Sequence, residues 1–135
     1  SWSSQALELS DFKTDYCTYF PEGTIASPNL WKHCCYDHDL RYWFGGSQKD
    51  MDLSDERLRQ CVSLVGGSFV ANLMYYGIRA GHSSPVKNKY KWGWGFGDRE
   101  IKPLTSAEKL IINQALDGLD LDPKYLQEFK TFYQL

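Results

Sequence analysis

The sequence lacks any apolar run approaching the roughly eighteen residues that a membrane-crossing helix needs, which excludes an integral membrane protein of the helical kind. It also lacks an excess of either charge. Lys and Arg number 15 against 17 Asp and Glu, a formal net charge of -2. No basic surplus exists to neutralise a run of phosphates, so nucleic acid is not expected as a partner. There is no internal repeat, low-complexity tract or linker, and 135 residues make one domain, residues 1–135, able to bury a core of its own. With 42% hydrophobic and 24% charged residues, a disordered chain is excluded too. The opening Ser-Trp-Ser-Ser shows neither a basic n-region nor an apolar h-region, so the chain reads as a mature product.

Cysteine is scarce but patterned: four residues, Cys17, Cys34, Cys35 and Cys61, all in the first half. An even, clustered count suggests bridges and hence export to an oxidising compartment, secreted or periplasmic. Adjacent cysteines on a helix point too far apart to bond comfortably to each other, which removes one of three pairings. If Cys34 takes Cys61, a first helix is clamped to a second and Cys35 is left to hold Cys17 and its loop. Each closed loop is then worth about 3 kcal/mol in the chain-entropy model.

Ser27-Pro28 has the chemistry of a helix start, and apolar or half-buried residues recur from Leu30 to Tyr42 before Gly45-Gly46, which predicts a helix over 28–44. A second helix is predicted from about 47–53 through Leu58, Val62, Phe69 and Tyr76 to Gly81, with Gly66-Gly67 marking a kink or a close helix contact. Between Gly81 and Pro103 the glycines and aromatics fit either a loop or a short hairpin. Thr105 to Glu108 has capping-box spacing and opens a helix to about Leu116, and Asp122-Pro123 opens another that reaches the C-terminus. The expected class is all-α, with four helices and little strand.

The chemistry sits in His33-Cys34-Cys35-Tyr36-Asp37-His38-Asp39-Leu40-Arg41-Tyr42. On a helix with Cys34 at zero, His38 falls at about 40 degrees, Tyr42 at about 80, Cys35 at about 100 and Asp39 at about 140. One face holds them, and His33, Tyr36, Asp37, Leu40 and Arg41 form a mostly polar back. With two antiparallel helices joined at Cys34 and Cys61, His38 lies about 6 Å beyond the bridge on one and Asp55 about 9 Å beyond it on the other, in the same direction. The side chains can meet, and Tyr42, one turn further, can give its hydroxyl to Asp55. Asp52 competes for this place; spacing to Cys61 favours Asp55. A histidine held by a buried carboxylate keeps one ring nitrogen as donor and the other as base, and with no serine marked nearby the nucleophile is water. Asp39 supplies a hard oxygen suited to Ca2+, and the loop from Thr14 to Gly23 can add carbonyls and the carboxylate of Asp15.

At these residues the sequence resembles the secreted phospholipase A2 superfamily. The resemblance covers about residues 15–61 and rests on Cys34-Cys35-Tyr36-Asp37-His38-Asp39 against the family's Cys-Cys-x-x-His-Asp, on Tyr42 four residues past His38, and on Asp55 six before Cys61. It implies two long antiparallel disulfide-linked helices, a calcium loop and additional C-terminal helices. It also implies calcium-dependent hydrolysis of the sn-2 ester of glycerophospholipids at a membrane or micelle surface, with peripheral rather than integral contact. By resemblance His38 is the general base, Asp55 its orienting partner, Tyr42 a structural partner of Asp55, and Asp39 the side-chain calcium ligand. Tyr16 and Thr18 match loop positions that give carbonyl ligands, the Thr18 amide also aiming at the oxyanion. Thr18 and Phe20 stand where venom and pancreatic members carry glycines. The low bridge count is similar to the microbial and fungal branch, in which an aspartate at the place of Asp15 joins the metal; Gly23 is a second candidate carbonyl. The alternative is a catalytically inactive relative, a toxin or membrane-binding module, which Thr18 favours.

Two further readings are weighed against these. Zinc held by the cysteines with His33 and His38 requires free thiols, and adjacent thiolates make poor neighbours in one tetrahedron. The stretch Trp92-Gly93-Trp94-Gly95-Phe96-Gly97, in a chain with 16% aromatic residues, is either a packed loop or an interfacial rim, and Tyr19 and Phe20 share the second reading.

Overall fold

The computed structural model describes residues 7–17, 20–83 and 91–135, which form five α-helices and no strand: α1 (Lys32–Phe44), α2 (Gln48–Gly66), α3 (Ser68–Ser83), α4 (Ser106–Asp117) and α5 (Pro123–Tyr133). The all-α expectation holds. Side chains set three of the starts. Ser47 accepts from the Asp50 amide while Asp50 accepts from the Ser47 amide, and Thr105 and Glu108 repeat this reciprocal box at α4. Asp122 caps α5 with Pro123 in its first turn.

Two boundaries differ from the pattern. α1 begins at Lys32, not at Pro28, because the backbone before it is engaged elsewhere: the Leu30 amide donates to the Ser27 carbonyl, the Trp31 amide to Glu22, and the Trp31 indole to Pro21 at 2.7 Å. The long second helix is two. Gly67 takes φ +91°, a conformation that glycine adopts without penalty, and the chain reverses there. A Cβ at Gly66 would lie 2.8 Å from the Trp31 ring, so the glycine pair provides both a close contact and a turn. α3 therefore runs back along α2, bringing Arg79 to 2.7 Å from Asp52.

Two apolar clusters flank α1. On one side Cys34, Cys35 and Tyr42 pack with Met51, Leu58 and Val62 of α2 and Ala71, Met74 and Ile78 of α3. On the other, Leu40, Trp43 and Phe44 pack with Ile112 and Leu116 of α4 and Phe129 and Tyr133 of α5. Of the polar back expected for α1, Leu40 and Arg41 are thus buried and Tyr36 and Asp37 half-buried, while His33 stays exposed. Arg41 is 0% exposed; its guanidinium donates to the Gly45 carbonyl, lies near Asp50, and faces the rings of Phe44, Trp92 and Tyr133 at 4.6, 4.9 and 4.7 Å. Burial lowers its pKa to about 10, which leaves it charged at neutral pH.

The Trp-Gly segment is a packed loop. Trp92 is buried, its indole donates to the Gly46 carbonyl at 2.9 Å, and the Gly93 amide donates to Tyr42 at 2.8 Å. The reading as an interfacial rim is not supported at Trp92; Phe20 is half-buried and Tyr19 lies outside the described residues. Both bridges form, Cys34–Cys61 and Cys17–Cys35, with no free cysteine, which removes the zinc reading. Among the described residues no helix is long and apolar enough to cross a membrane.

Arg99 ties the connection into α4: it donates to Glu108 at 2.6 and 2.9 Å and to the carbonyls of Glu100, Lys102 and Pro103. Those Arg99 bonds, with the Thr105 amide and despite burial, hold the Glu108 carboxyl at about 2 against an ordinary 4.5. A depressed carboxyl contributes stability that is whole above the unfolded value and is lost as pH falls through the folded one, here a contribution on the order of 3 kcal/mol. Glu108→Gln is expected to lower stability by about that amount at pH 7 and by about half as much at pH 3, measured as urea midpoints of the two proteins at each pH.

Candidate active site

α1 and α2 run antiparallel from the Cys34–Cys61 bridge, and one turn beyond it on α1 the His38 ring meets Asp55 of α2. His38 Nε2 lies 2.7 Å from Asp55 Oδ1, and the Tyr42 hydroxyl donates to the same oxygen at 2.8 Å. His38, Tyr42 and Asp55 are 3%, 1% and 0% exposed. An ionised carboxylate only accepts, so the proton of the neutral imidazole sits on Nε2 and the lone pair on Nδ1. The His38 and Tyr42 rings lie 4.4 Å apart, so Tyr42 also walls one side of the imidazole. Burial first, then the Asp55 charge, pushes the Tyr42 phenol well above its ordinary value and keeps it a neutral donor.

The other oxygen of Asp55, Oδ2, faces Arg79 Nε of α3 at 3.2 Å. Asp52, which competed with Asp55 on sequence, belongs to this side: it binds Arg79 at 2.7 Å and Gln48 at 3.0 Å and does not orient His38. Arg79 was not legible as a site residue. Its place depends on the reversal at Gly67, and Gly66-Gly67 was the one local signal of it.

Asp39, next on α1, is 7% exposed and accepts from Thr14 Oγ1 at 2.5 Å; the Tyr16 amide in turn donates to Thr14 at 2.9 Å. The Cys17–Cys35 bridge pins this loop to α1. Tyr16 has φ +56°, the left-handed region, unusual for a residue with a Cβ, and Asp15 beside it is exposed. The Thr14 contact and the Cys17–Cys35 bridge thereby bring the loop that carries Asp15 and Tyr16 against α1. Thr18 lies outside the described residues. Gly23 has a packing role of its own, since a Cβ there would lie 2.1 Å from the Ser27 carbonyl. The oxygen placed against the Asp39 carboxylate is the Thr14 hydroxyl, and oxygen ligands suit calcium better than a soft metal. His33, Cys34 and Cys61 also offer atoms within 4.8 Å of one another, but both sulfurs are spent in their bridge.

Comparisons with protein-family models, curated proteins and solved structures find no match.

Proposed function

We propose that this chain is a calcium-dependent phospholipase A2, hydrolysing the sn-2 ester of glycerophospholipids to a fatty acid and a lysophospholipid. The observation that carries this reading is the buried His38–Asp55–Tyr42 contact, with the Asp39 carboxylate next to His38 on α1. In the reaction His38 Nδ1 takes a proton from a water whose oxygen attacks the ester carbonyl. Asp55 accepts from Nε2 and steadies the imidazolium. His38 then returns the proton to the leaving alkoxide as the acyl carbon–oxygen bond breaks. Tyr42 keeps Asp55 from turning. Asp39, with the carbonyl of Tyr16 and the carboxylate of Asp15, would hold Ca2+, which when bound supplies positive charge to an ester oxygen. The carbonyl of Thr18 completes the set by resemblance. The two bridges fit an exported, secreted or periplasmic protein of phospholipase A2-like fold.

Contact with a lipid surface is supported by α3. Residues 60–78 contain no charged side chain, and Phe69, Leu73 and Tyr76 share the helix face opposite its buried Ala71, Met74 and Ile78, with exposures of 83%, 54% and 64%. An aromatic and apolar stripe of this kind partitions to the headgroup region.

The test is release of fatty acid from sn-2-labelled phosphatidylcholine vesicles in calcium and in chelator. Release at least about tenfold faster in calcium is expected; release no faster than from vesicles without protein would favour the non-catalytic membrane-binding alternative, and equal release above that level in chelator would remove calcium from the reaction.

A further inference from the structure

We infer that Arg79 is a positioning residue for the catalytic pair, the cation that keeps Asp55 a pure acceptor toward His38; this rests on the hydrolase reading above. The two oxygens of Asp55 have divided tasks. Oδ1 takes both orienting bonds, from His38 at 2.7 Å and Tyr42 at 2.8 Å, while Oδ2 faces Arg79 Nε at 3.2 Å. The same guanidinium reaches Asp52, one turn earlier on α2, through Nη1 at 2.7 Å. It therefore spans two carboxylates on one helix face, which a planar fork can do and a lysine, a point charge, cannot do equally well. The Tyr75 ring lies 5.3 Å from its Cζ, and Ile78 beside it is sunk in the core, which fixes where the side chain emerges.

Asp55 is fully buried, and a buried carboxylate needs a compensating charge as well as its donors. Arg79 supplies that charge from the side of Asp55 that His38 does not touch, and by facing Oδ2 it leaves Oδ1 turned to His38 and Tyr42. Without it the carboxyl group is free to turn, and the imidazole loses the fixed acceptor that keeps its hydrogen on Nε2 and its lone pair on Nδ1. Its loss should therefore change turnover and leave substrate binding alone.

Arg79→Met keeps the aliphatic stem and removes the charge. It is expected to lower kcat about 10- to 100-fold, the scale of one lost cation beside a buried carboxylate, with KM within twofold and calcium dependence kept. Arg79→Lys should recover part of the loss. Nitrogen-detected NMR of the His38 ring gives a readout independent of activity: the Nε2–H form in the parent, a mixture or the Nδ1–H form in Arg79→Met. A parent that hydrolyses no lipid would end the hydrolase reading and leave the NMR comparison to decide on Arg79. An active parent whose Arg79→Met variant keeps kcat within twofold and the same ring spectrum would overturn the inference. Should Arg79→Met fail to fold, Asp52→Ala, at an exposed position, removes the outer anchor; kcat about three- to tenfold lower supports the inference and an unchanged kcat overturns it.

Discussion

His38→Gln is expected to release fatty acid about a thousandfold more slowly than the parent, or worse, with calcium binding and thermal stability nearly unchanged. A glutamine side chain can bring its amide nitrogen to the place of His38 Nε2 and still donate to Asp55 Oδ1, 2.7 Å away in the parent. The buried carboxylate then keeps its donors, and the usual cost of orphaning a buried polar group is avoided. What disappears is the basic nitrogen. An amide cannot take a proton from water near neutral pH, and a positioned general base contributes about 100- to 10,000-fold to such reactions. Initial rates in saturating calcium, paired with melting curves, decide the matter. A folded variant within tenfold of the parent would remove His38 from the chemistry, and a collapsed melting temperature would leave a structural role in its place.

Much of this arrangement is legible in the chain because it is local or nearly so. Cys34, His38 and Tyr42 share a helix face by periodicity, and the bridge to Cys61 turns a spacing of six residues into a register that brings Asp55 to His38. The helix starts at Thr105 and Asp122 are legible for the same reason, since a cap joins residues three apart, whereas the start at Ser47 is legible only to within 47–53. Failures began where distant segments compete for one group. Trp31 gives its amide and its indole to the loop at 21–22, so α1 cannot start at Pro28. Gly66-Gly67 signalled a disturbance, but whether it kinks a helix or reverses it depends on Trp31 packing against Gly66, a contact across 35 residues that no window on the sequence contains. With that reversal unseen, Arg79 had no reason to be placed near Asp55. Arg41 falls with Asp37 and His33 on the mostly polar back of the helix by periodicity, whereas Tyr133, near the far end of the chain, closes over it.

Asp55→Asn is expected to be the most damaging conservative change, about 1,000- to 10,000-fold in turnover, the scale seen when a histidine is forced into the wrong tautomer. The reason lies in which way the new amide must point. Its oxygen and nitrogen would occupy the places of Oδ1 and Oδ2, and one of those places faces the guanidinium of Arg79 at 3.2 Å. A nitrogen there would set donor against donor, so the amide oxygen turns to Arg79 and the NH2 group turns to His38 and Tyr42. Nε2 must now accept, the hydrogen moves to Nδ1, and the base is lost although every heavy atom is close to its original position. Arg79 thus makes Asp55→Asn worse than it would be alone. Removing both should relax the constraint: in Asp55→Asn with Arg79→Met the amide is free to present its oxygen to His38 Nε2, and the double variant is expected to be about tenfold faster than Asp55→Asn alone. Such a sign of coupling arises only between groups that act on each other. Turnover of the two single variants and the double variant, with the His38 ring spectrum of each, checks it. A double variant as slow as the product of the two single losses would show that the orientation of the amide is not what Arg79 controls.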